Sequence, residues 1–195
     1  KYPDRFFDVV ISEEHAVVFA AGLASQGLLP FFAVYSTFMQ RAIDYVIHDV
    51  CLQGLPVVMC LDRAGIVGDD GPTHHGIFDI ALLRSIPGLT IMQPADAAEF
   101  SNMLFTATRL ARPVVIRYPR GVAPGGSMPE KFTEIQEGKA VVEREGGPVQ
   151  IWALGDMLDT ARKAADILGR DNIKAGIVNA GFVRPLDKNL LGKHA

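Results

Sequence analysis

PFFAVYSTFMQRAIDYVIHDVCLQGLPVVMCLD, residues 30–62, carries the main evidence for the fold of this 195-residue chain. An apolar strand pattern at 30–35 is followed by a helical pattern at 38–52 and by a second apolar strand at 56–61. Strands that are apolar along their whole length are typical of parallel sheets covered by helices on both faces. The stretch therefore predicts a strand–helix–strand unit within a parallel α/β sheet.

The same alternation extends in both directions along the chain. The elements predicted outside this unit are a strand at 6–11, a helix at 13–26, a short helix near 78–85, strands at 89–92 and 113–118, and a helix at 97–110. Residues 121–138 are rich in glycine and proline and have no periodicity, which indicates a boundary. The elements predicted beyond it are a hairpin of 139–143 with 149–154, a helix at 158–168 and a strand at 173–179.

These patterns predict an α/β fold. We expect a parallel sheet with helices on both faces over residues 1–123, a linker at 124–138, and the start of a second α/β unit over 139–195. Both ends are expected to be cut, because the chain lacks an initiator Met and stops soon after a helix start.

The composition is that of an ordinary globular protein and disfavours several classes of function. Apolar residues make up 49% and charged residues 21%, and the formal net charge is −3. Without a long basic face, nucleic acid is not an expected partner. No apolar run is long enough to span a bilayer, so no membrane partner is expected. Cys51 and Cys60 lie in apolar segments without CxxC spacing, which favours two reduced thiols over a disulfide or a metal role.

A dense group of ionisable residues lies in DRAGIVGDDGPTHHG, residues 62–76, which we call the Asp–His loop. Its fifteen residues include one arginine, three aspartates, two histidines and four glycines. Glycine lets a backbone approach a ligand closely, and the charged residues supply acid–base and anion-binding chemistry. The pattern therefore predicts an active-site loop, and a purely structural loop is one alternative. A metal site built from the adjacent His and Asp pairs is another, disfavoured because adjacent side chains point in different directions.

Two other segments place polar or aromatic side chains at strand ends, where open parallel sheets bind ligands. Glu13 begins a predicted helix, and the helix dipole stabilises a carboxylate there. A capping pair with Glu14 is the structural alternative. Tyr35, Phe38 and Arg41 surround a strand-to-helix turn, where the aromatic rings could instead be core and the arginine solvated.

Taken together, these segments resemble the thiamine-diphosphate enzymes of the transketolase group, and within that group the 1-deoxy-D-xylulose-5-phosphate synthase family. The resemblance is strong over residues 2–123 and continues to GFVRPLD, 181–187. The motifs that carry it are DVVISEEHAV (8–17), AVYSTFMQRAIDYVIHDV (33–50), LDRAGIVGDDGPTHHG (61–76), IMQPAD (91–96) and IRYPRG (116–121). A transketolase or a 2-oxo acid dehydrogenase β subunit is the alternative enzyme, disfavoured by the DRAG element and by the arginines at 63 and 120.

The resemblance implies roles for residues near a cofactor. Glu13 matches the glutamate that hydrogen-bonds N1′ of the cofactor's aminopyrimidine and shares a proton with it. Phe38 matches the aromatic that stacks on the pyrimidine ring. His74 matches a catalytic residue near the reacting carbons, and Asp70 matches a substrate-binding residue there.

The resemblance also implies anion-binding roles. Arg41 is placed to meet the carboxylate of a 2-oxo acid. Tyr35, Arg63 and Arg120 match residues around the phosphate of an aldehyde substrate, an anion that guanidinium groups suit. The resemblance assigns no role to His15, His48 and His75.

The implied activity is a thiamine-diphosphate-dependent condensation of pyruvate with D-glyceraldehyde 3-phosphate. The products are 1-deoxy-D-xylulose 5-phosphate and CO2, at the first step of the non-mevalonate isoprenoid pathway, which also serves thiamine and pyridoxal synthesis. Mg²⁺ is implied with the cofactor, but its Gly-Asp…Asn motif belongs to an N-terminal domain that these residues lack. The resemblance further implies a homodimer, an inactive isolated fragment, and a location in the bacterial cytoplasm or in the plastid stroma of a plant or alga.

Two departures from the family pattern lie close to expected contacts. Glu14 replaces a common glutamine beside Glu13, and Gly181 stands where a basic residue usually precedes Phe182. A non-catalytic module that retains only the sheet is a further alternative, disfavoured because Glu13, Phe38, Asp70 and His74 are all present.

Overall fold

The computed structural model describes residues 2–124 and 128–195. Within these ranges, the strands are β1 Phe31–Tyr35, β2 Val58–Asp62, β3 Thr90–Met92, β4 Val114–Arg117, β5 Val141–Arg144, β6 Val149–Ala153, β7 Ala175–Asn179 and β8 Phe182–Arg184. They form one sheet of five strands in the order β1–β2–β4–β3–β8 and one of three in the order β5–β7–β6. The first four strands of the larger sheet are parallel, and β8 joins β3 antiparallel.

Helices connect the strands. The α-helices are α1 Glu13–Ser25, α2 Ile43–Tyr45, α3 Asp79–Leu83, α4 Ala97–Ala107, α5 Met157–Arg170 and α6 Lys188–His194. Short 3-10 helices cover Pro3–Arg5, Phe38–Ala42, Gly68–Asp70 and Pro72–His74. None of the helices in the described ranges is long and apolar enough to cross a membrane.

The inner strands β2, β4 and β3 of the larger sheet are buried on both faces, as their apolar sequences predict, whereas one face of the edge strand β1 is exposed. Met59 and Leu61 of β2 pack into a core shared with α1 and the helical segment after β1. Val58 and Cys60 point to the opposite face and pack with Met103 of α4. Because successive residues of a strand face opposite sides, one apolar strand supplies both cores. The predicted parallel α/β sheet with helices on both faces is confirmed.

The two cysteines lie in this part of the fold as free thiols. Burial raises the pKa of Cys51 to about 11 and that of Cys60 to about 11. Both side chains are therefore protonated near neutral pH and are poor nucleophiles there.

The helix predicted at 38–52 is helical, but its hydrogen bonding changes along its length. The 3-10 helix Phe38–Ala42 leads into α2 and then into a π-helix, Val46–Cys51. Side chains at i and i+3 eclipse in a 3-10 helix, so Phe38 and Arg41 lie in one row on its surface. Stretches of π-helix are frequent at functional sites.

The strand predicted at 6–11 is wrong. Residues 6–10 form no ladder in the structure, and Phe6, Val10 and Ile11 are largely exposed. Phe7 packs edge to face on Phe19 of α1, with ring centroids 5.2 Å apart. An apolar run fixes a strand only when a neighbouring strand pairs with it, and here the run lies against a helix.

The hairpin predicted from 139–143 and 149–154 is also wrong. Both strands form, but β7 lies between them, antiparallel to β5 and parallel to β6. All five residues of β7 are buried, whereas β5 is largely exposed. The most apolar strand takes the centre, where both of its edges are paired.

The second unit is joined to the larger sheet through β8, so the sheet is not confined to residues 1–123. The described part of the predicted linker also packs closely. The backbone N–H of Ile135 donates to Oγ1 of Thr106 at 2.8 Å, and Thr90 donates to Glu137 at 2.6 Å. Residues 125–127 of that linker lie outside the described residues. The division at 124–138 stays a prediction.

Candidate active site

The Asp–His loop leaves the carboxyl end of β2 and returns to its own start. Gly65 and Gly76 exchange two backbone hydrogen bonds, each 2.8 Å long. The N–H of Ala64 donates to the carbonyl of Tyr118, just past β4, at 3.0 Å. The base of the loop is therefore fixed to the sheet, and its charged residues are held at the carboxyl edge, where such sheets bind ligands.

Gly76 closes the loop at a point with no room for a side chain. A Cβ atom there would lie 2.4 Å from the carbonyl oxygen of Arg63 and 2.5 Å from Oγ of Ser36. We expect Gly76→Ala to lower the free energy of unfolding by about 1–3 kcal/mol, because the backbone must shift to relieve the clash. Urea denaturation of the full-length protein measures it.

Gly22→Ala is the matched control for that substitution. Gly22 lies in α1, and a Cβ atom there meets nothing within 4 Å. We expect the control to stabilise the protein by about 0.5–1 kcal/mol, since alanine is the better helix former. Equal stability of Gly76→Ala and the native protein would show that the loop base tolerates a side chain.

Three rings from different elements form an aromatic cluster beside the loop. Tyr35 and Phe38 stack with ring centroids 5.2 Å apart and an interplanar angle of 21°. His74 meets Phe38 edge to face at 5.4 Å and Tyr35 at 6.3 Å. Nδ1 of His74 lies 2.9 Å from the hydroxyl of Thr73. The cluster offers a flat aromatic surface next to an imidazole.

Two arginines from different strand ends meet on one carboxylate oxygen. Oδ2 of Asp70 accepts from Nε of Arg63 at 3.0 Å and lies 3.1 Å from Nε of Arg120. Arg63 also contacts Asp62 at 2.7 Å, and its guanidinium lies 3.8 Å from the ring centroid of Tyr35. The two arginines that the resemblance places around one phosphate are thus brought together.

The arginine cluster is electrically balanced, a feature that the sequence did not reveal. Two guanidinium groups face two carboxylates, of Asp62 and Asp70. Burial disfavours the charge on Arg63, but the hydrogen bond to Asp70 and the charge of Asp62 outweigh it and raise the pKa of Arg63. An arriving anion must therefore compete with carboxylates that already hold both cations.

Glu13 lies at the first turn of α1 and is 5% exposed. Its Oε2 accepts from Nη1 of Arg41 at 3.4 Å, while the Arg41 side chain is 61% exposed. Arg41 follows Phe38 in the same row of the 3-10 helix, so Glu13 contacts the helix that bears one ring of the aromatic cluster. The buried carboxylate and the flat ring surface fit the hydrogen bond and the stacking that an aminopyrimidine needs.

The two histidines at the end of the loop have different partners. His74 faces the aromatic cluster, whereas Nδ1 of His75 accepts the N–H of Val67 at 3.2 Å. Within residues 2–124 and 128–195, no three His, Cys, Asp or Glu side chains are grouped as a metal site requires.

Sequence reasoning missed one buried ionic network at this edge of the sheet. Arg117 pairs with Asp79 and donates to the side chain of Gln93, which in turn donates to Asp156 at 2.8 Å. An arginine inside the otherwise apolar run PVVIRY was the available signal, because a charge in a fully buried strand requires a partner.

The fold and this site define a class of protein. The family model described as transketolase, pyrimidine binding domain, matches residues 1–125, and the model for the transketolase C-terminal domain matches 138–195. The chain belongs to the transketolase family. Enzymes of this family use thiamine diphosphate, with Mg²⁺ as the usual metal.

Within that family, similar curated proteins are 1-deoxy-D-xylulose-5-phosphate synthases. The chain is 52% identical to the one from Syntrophus aciditrophicus over 98% of its length, and 54% identical to the one from Thermomicrobium roseum over 97%. These alignments cover 29% and 30% of the two relatives, so the chain spans about a third of their length. The resemblance found in the motifs is confirmed.

Solved structures agree with this placement. The chain superposes on a split-gene transketolase, an inactive β4 tetramer, with a TM-score of 0.89 and 33% identity, covering all of this chain and 63% of that one. A Pichia stipitis transketolase mutant, H261F, gives a TM-score of 0.69 and 26% identity over 81% of this chain and 24% of that one.

Proposed function

We propose that the chain forms the pyrimidine-binding and C-terminal units of a longer 1-deoxy-D-xylulose-5-phosphate synthase. This enzyme condenses pyruvate with D-glyceraldehyde 3-phosphate and releases CO2. The meeting of Arg63 and Arg120 on one oxygen of Asp70, beside the Tyr35–Phe38 stack, carries the proposal. Paired guanidinium groups suit a phosphate, and a flat aromatic face suits a pyrimidine.

Glu13 and Phe38 are the residues that would hold the aminopyrimidine of thiamine diphosphate. When bound, the cofactor supplies a carbanion-stabilising centre for 2-oxo acid decarboxylation. The carboxyl group of Glu13 holds or exchanges a proton at N1′, and its burial excludes water from that contact. The ring of Phe38 orients the pyrimidine by stacking.

The remaining site residues act on the two substrates. Arg41 lies in the same helical row as Phe38, so its exposed guanidinium is placed to meet the carboxylate of pyruvate. Arg63 and Arg120 bind the aldehyde phosphate, and Tyr35 supports Arg63 through the stacked ring. His74 faces the same aromatic surface and moves protons to and from carbonyl and hydroxyl oxygens. Asp70, which is held by Arg63 and Arg120, binds the substrate near them.

The proposal extends to parts outside this chain. The ligands of Mg²⁺ and of the diphosphate are assigned to an N-terminal domain, and the enzyme is a homodimer in the cytoplasm of a bacterium. The assignment of these ligands to another domain is supported by the length of the relatives, which are about three times as long, and by the lack of a metal cluster in the described residues.

Turnover by the full-length protein tests the function. With thiamine diphosphate and Mg²⁺, we expect pyruvate and D-glyceraldehyde 3-phosphate to give 1-deoxy-D-xylulose 5-phosphate, identified by mass spectrometry, together with CO2. Xylulose 5-phosphate with ribose 5-phosphate is the control pair, which a transketolase would use. Turnover of the control pair alone would make the enzyme a transketolase and reject the proposal.

A second expected result concerns the chain by itself. The 195 residues should bind thiamine diphosphate weakly or not at all, because no metal-ligand cluster occurs in the described ranges. Isothermal calorimetry with and without Mg²⁺ measures this. Tight, Mg²⁺-dependent binding to the isolated chain would contradict the assignment of these ligands to another domain.

A further inference from the structure

The buried ion pair of Arg117 and Asp79 has no part in the chemistry proposed above. Arg117 is 7% exposed and Asp79 is 3% exposed. Nε of Arg117 donates to Oδ2 of Asp79 at 2.8 Å and Nη2 donates to Oδ1 at 3.3 Å, so the contact is two-pronged. Packed apolar residues usually stabilise a core at least as well as a buried ion pair does. Holding two parts of the chain in place therefore explains this charged pair better than stability does.

The pair holds the exit of the Asp–His loop, whereas Tyr118, just past β4, holds its entry. Ala64, at the entry, donates its N–H to the carbonyl of Tyr118 at 3.0 Å. Asp79 lies three residues beyond the loop and is held by the side chain of Arg117, the residue before Tyr118. Both ends of the loop are thus attached to two consecutive residues of one chain segment.

The same segment carries one of the anion-binding arginines. Arg120 follows Arg117 by three residues, and Asp70, which contacts Arg120 at 3.1 Å, belongs to the loop. The separation of Arg120 from Arg63 therefore depends on how the loop is placed against the end of β4. The Arg117–Asp79 pair attaches the loop exit to that end of β4.

The second unit supports the pair from the other side. Nη1 of Arg117 donates to Oε1 of Gln93, and Nε2 of Gln93 donates to Oδ1 of Asp156 at 2.8 Å. A Cβ atom at Gly155 would lie 2.3 Å from Cγ of Gln93, so the chain passes very close to this side chain. The guanidinium thus has a partner on each side and a fixed direction.

We propose that Arg117 and Asp79 are positioning residues that hold Arg63 and Arg120 at the separation one phosphate needs. The inference rests on the proposed function, because the phosphate is that of its aldehyde substrate. Neither Arg117 nor Asp79 touches that substrate. Each acts through the loop and through the segment that bears Arg120.

Asp79→Asn in the full-length protein is the test, since it keeps the shape and removes the charge. We expect the KM for glyceraldehyde 3-phosphate to rise about tenfold and the KM for pyruvate to stay within about twofold. We also expect Arg120→Ala to raise the KM for the aldehyde phosphate about tenfold or more in the native protein. In the Asp79→Asn variant, the same substitution should raise this KM less than about threefold. Effects of Asp79→Asn and Arg120→Ala on this KM that do not add would indicate that Asp79 acts through Arg120.

Ile177→Ala, in the core of β7, is the control for lost stability alone. It should lower the Tm and leave the KM for the aldehyde phosphate unchanged. If Asp79→Asn does not fold, Arg117→Lys replaces it, with an expected rise of about threefold and the same loss of coupling to Arg120. Fully additive effects of the two substitutions would overturn the inference. A native enzyme that does not use the aldehyde phosphate would instead overturn the proposed function.

Discussion

Glu13→Gln in the full-length protein should lower kcat by about 100- to 10,000-fold without loss of folded structure. Glu13 is buried at the first turn of α1, and its carboxylate contacts Arg41 at 3.4 Å. Glutamine has nearly the same size and still hydrogen-bonds N1′ of a pyrimidine, but it cannot exchange a proton with it. Steady-state turnover of pyruvate with glyceraldehyde 3-phosphate measures the loss, and circular dichroism checks the fold.

Glu14→Gln is the matched control. Glu14 is the next residue in the same helical turn, so its substitution removes the same charge from the same end of the helix dipole. We expect its kcat to stay within about twofold of the native value, because the proposed proton exchange with the cofactor is assigned to Glu13 and not to Glu14. Near-normal activity of Glu13→Gln with the cofactor bound would remove Glu13 from the catalytic role.

The strands and most helices could be predicted because their signals are local. The apolar runs of β2 and β4 alternate between two cores, and Asp96 accepts the N–H of Glu99 at 2.8 Å to begin α4, as a residue preceding a helix commonly does. The sequence also predicted that the candidate site residues lie at one edge of the sheet, since parallel strands bring their carboxyl ends to that edge. These conclusions need only residue type and spacing.

Pairing between distant segments could not be predicted in the same way. The order of β5, β6 and β7 depends on which strand is buried most deeply once all three are present. Likewise, the sequence of the loop alone does not predict which side chains contact Asp70. That choice follows from the closure of the loop between Gly65 and Gly76 and from the path of the chain after β4. The strand order of the smaller sheet and the contacts of Asp70 therefore depend on tertiary packing, which residue type and spacing do not predict.

Replacing either Arg63 or Arg120 by alanine should raise the KM for glyceraldehyde 3-phosphate. Each charge-assisted contact to the phosphate is worth about 1.5–3 kcal/mol, which corresponds to a rise of about ten- to a hundredfold. The side chain of Arg63 is 20% exposed and that of Arg120 is 42% exposed. Because less water screens the more buried cation, we expect the larger effect from Arg63. Steady-state kinetics with each substrate varied in turn measures both constants.

Arg112→Ala is the control, because Arg112 is half-exposed and its carboxylate partner is Glu137, outside the site. Its KM values should both stay within about twofold of the native ones. The KM for pyruvate should also change little in Arg63→Ala and Arg120→Ala, since pyruvate carries no phosphate. A rise in the pyruvate constant with an unchanged aldehyde constant would mean that these arginines bind a different group. The balanced cluster around Asp70 would then be a structural ion-pair network, and the synthase proposal would lose its main support.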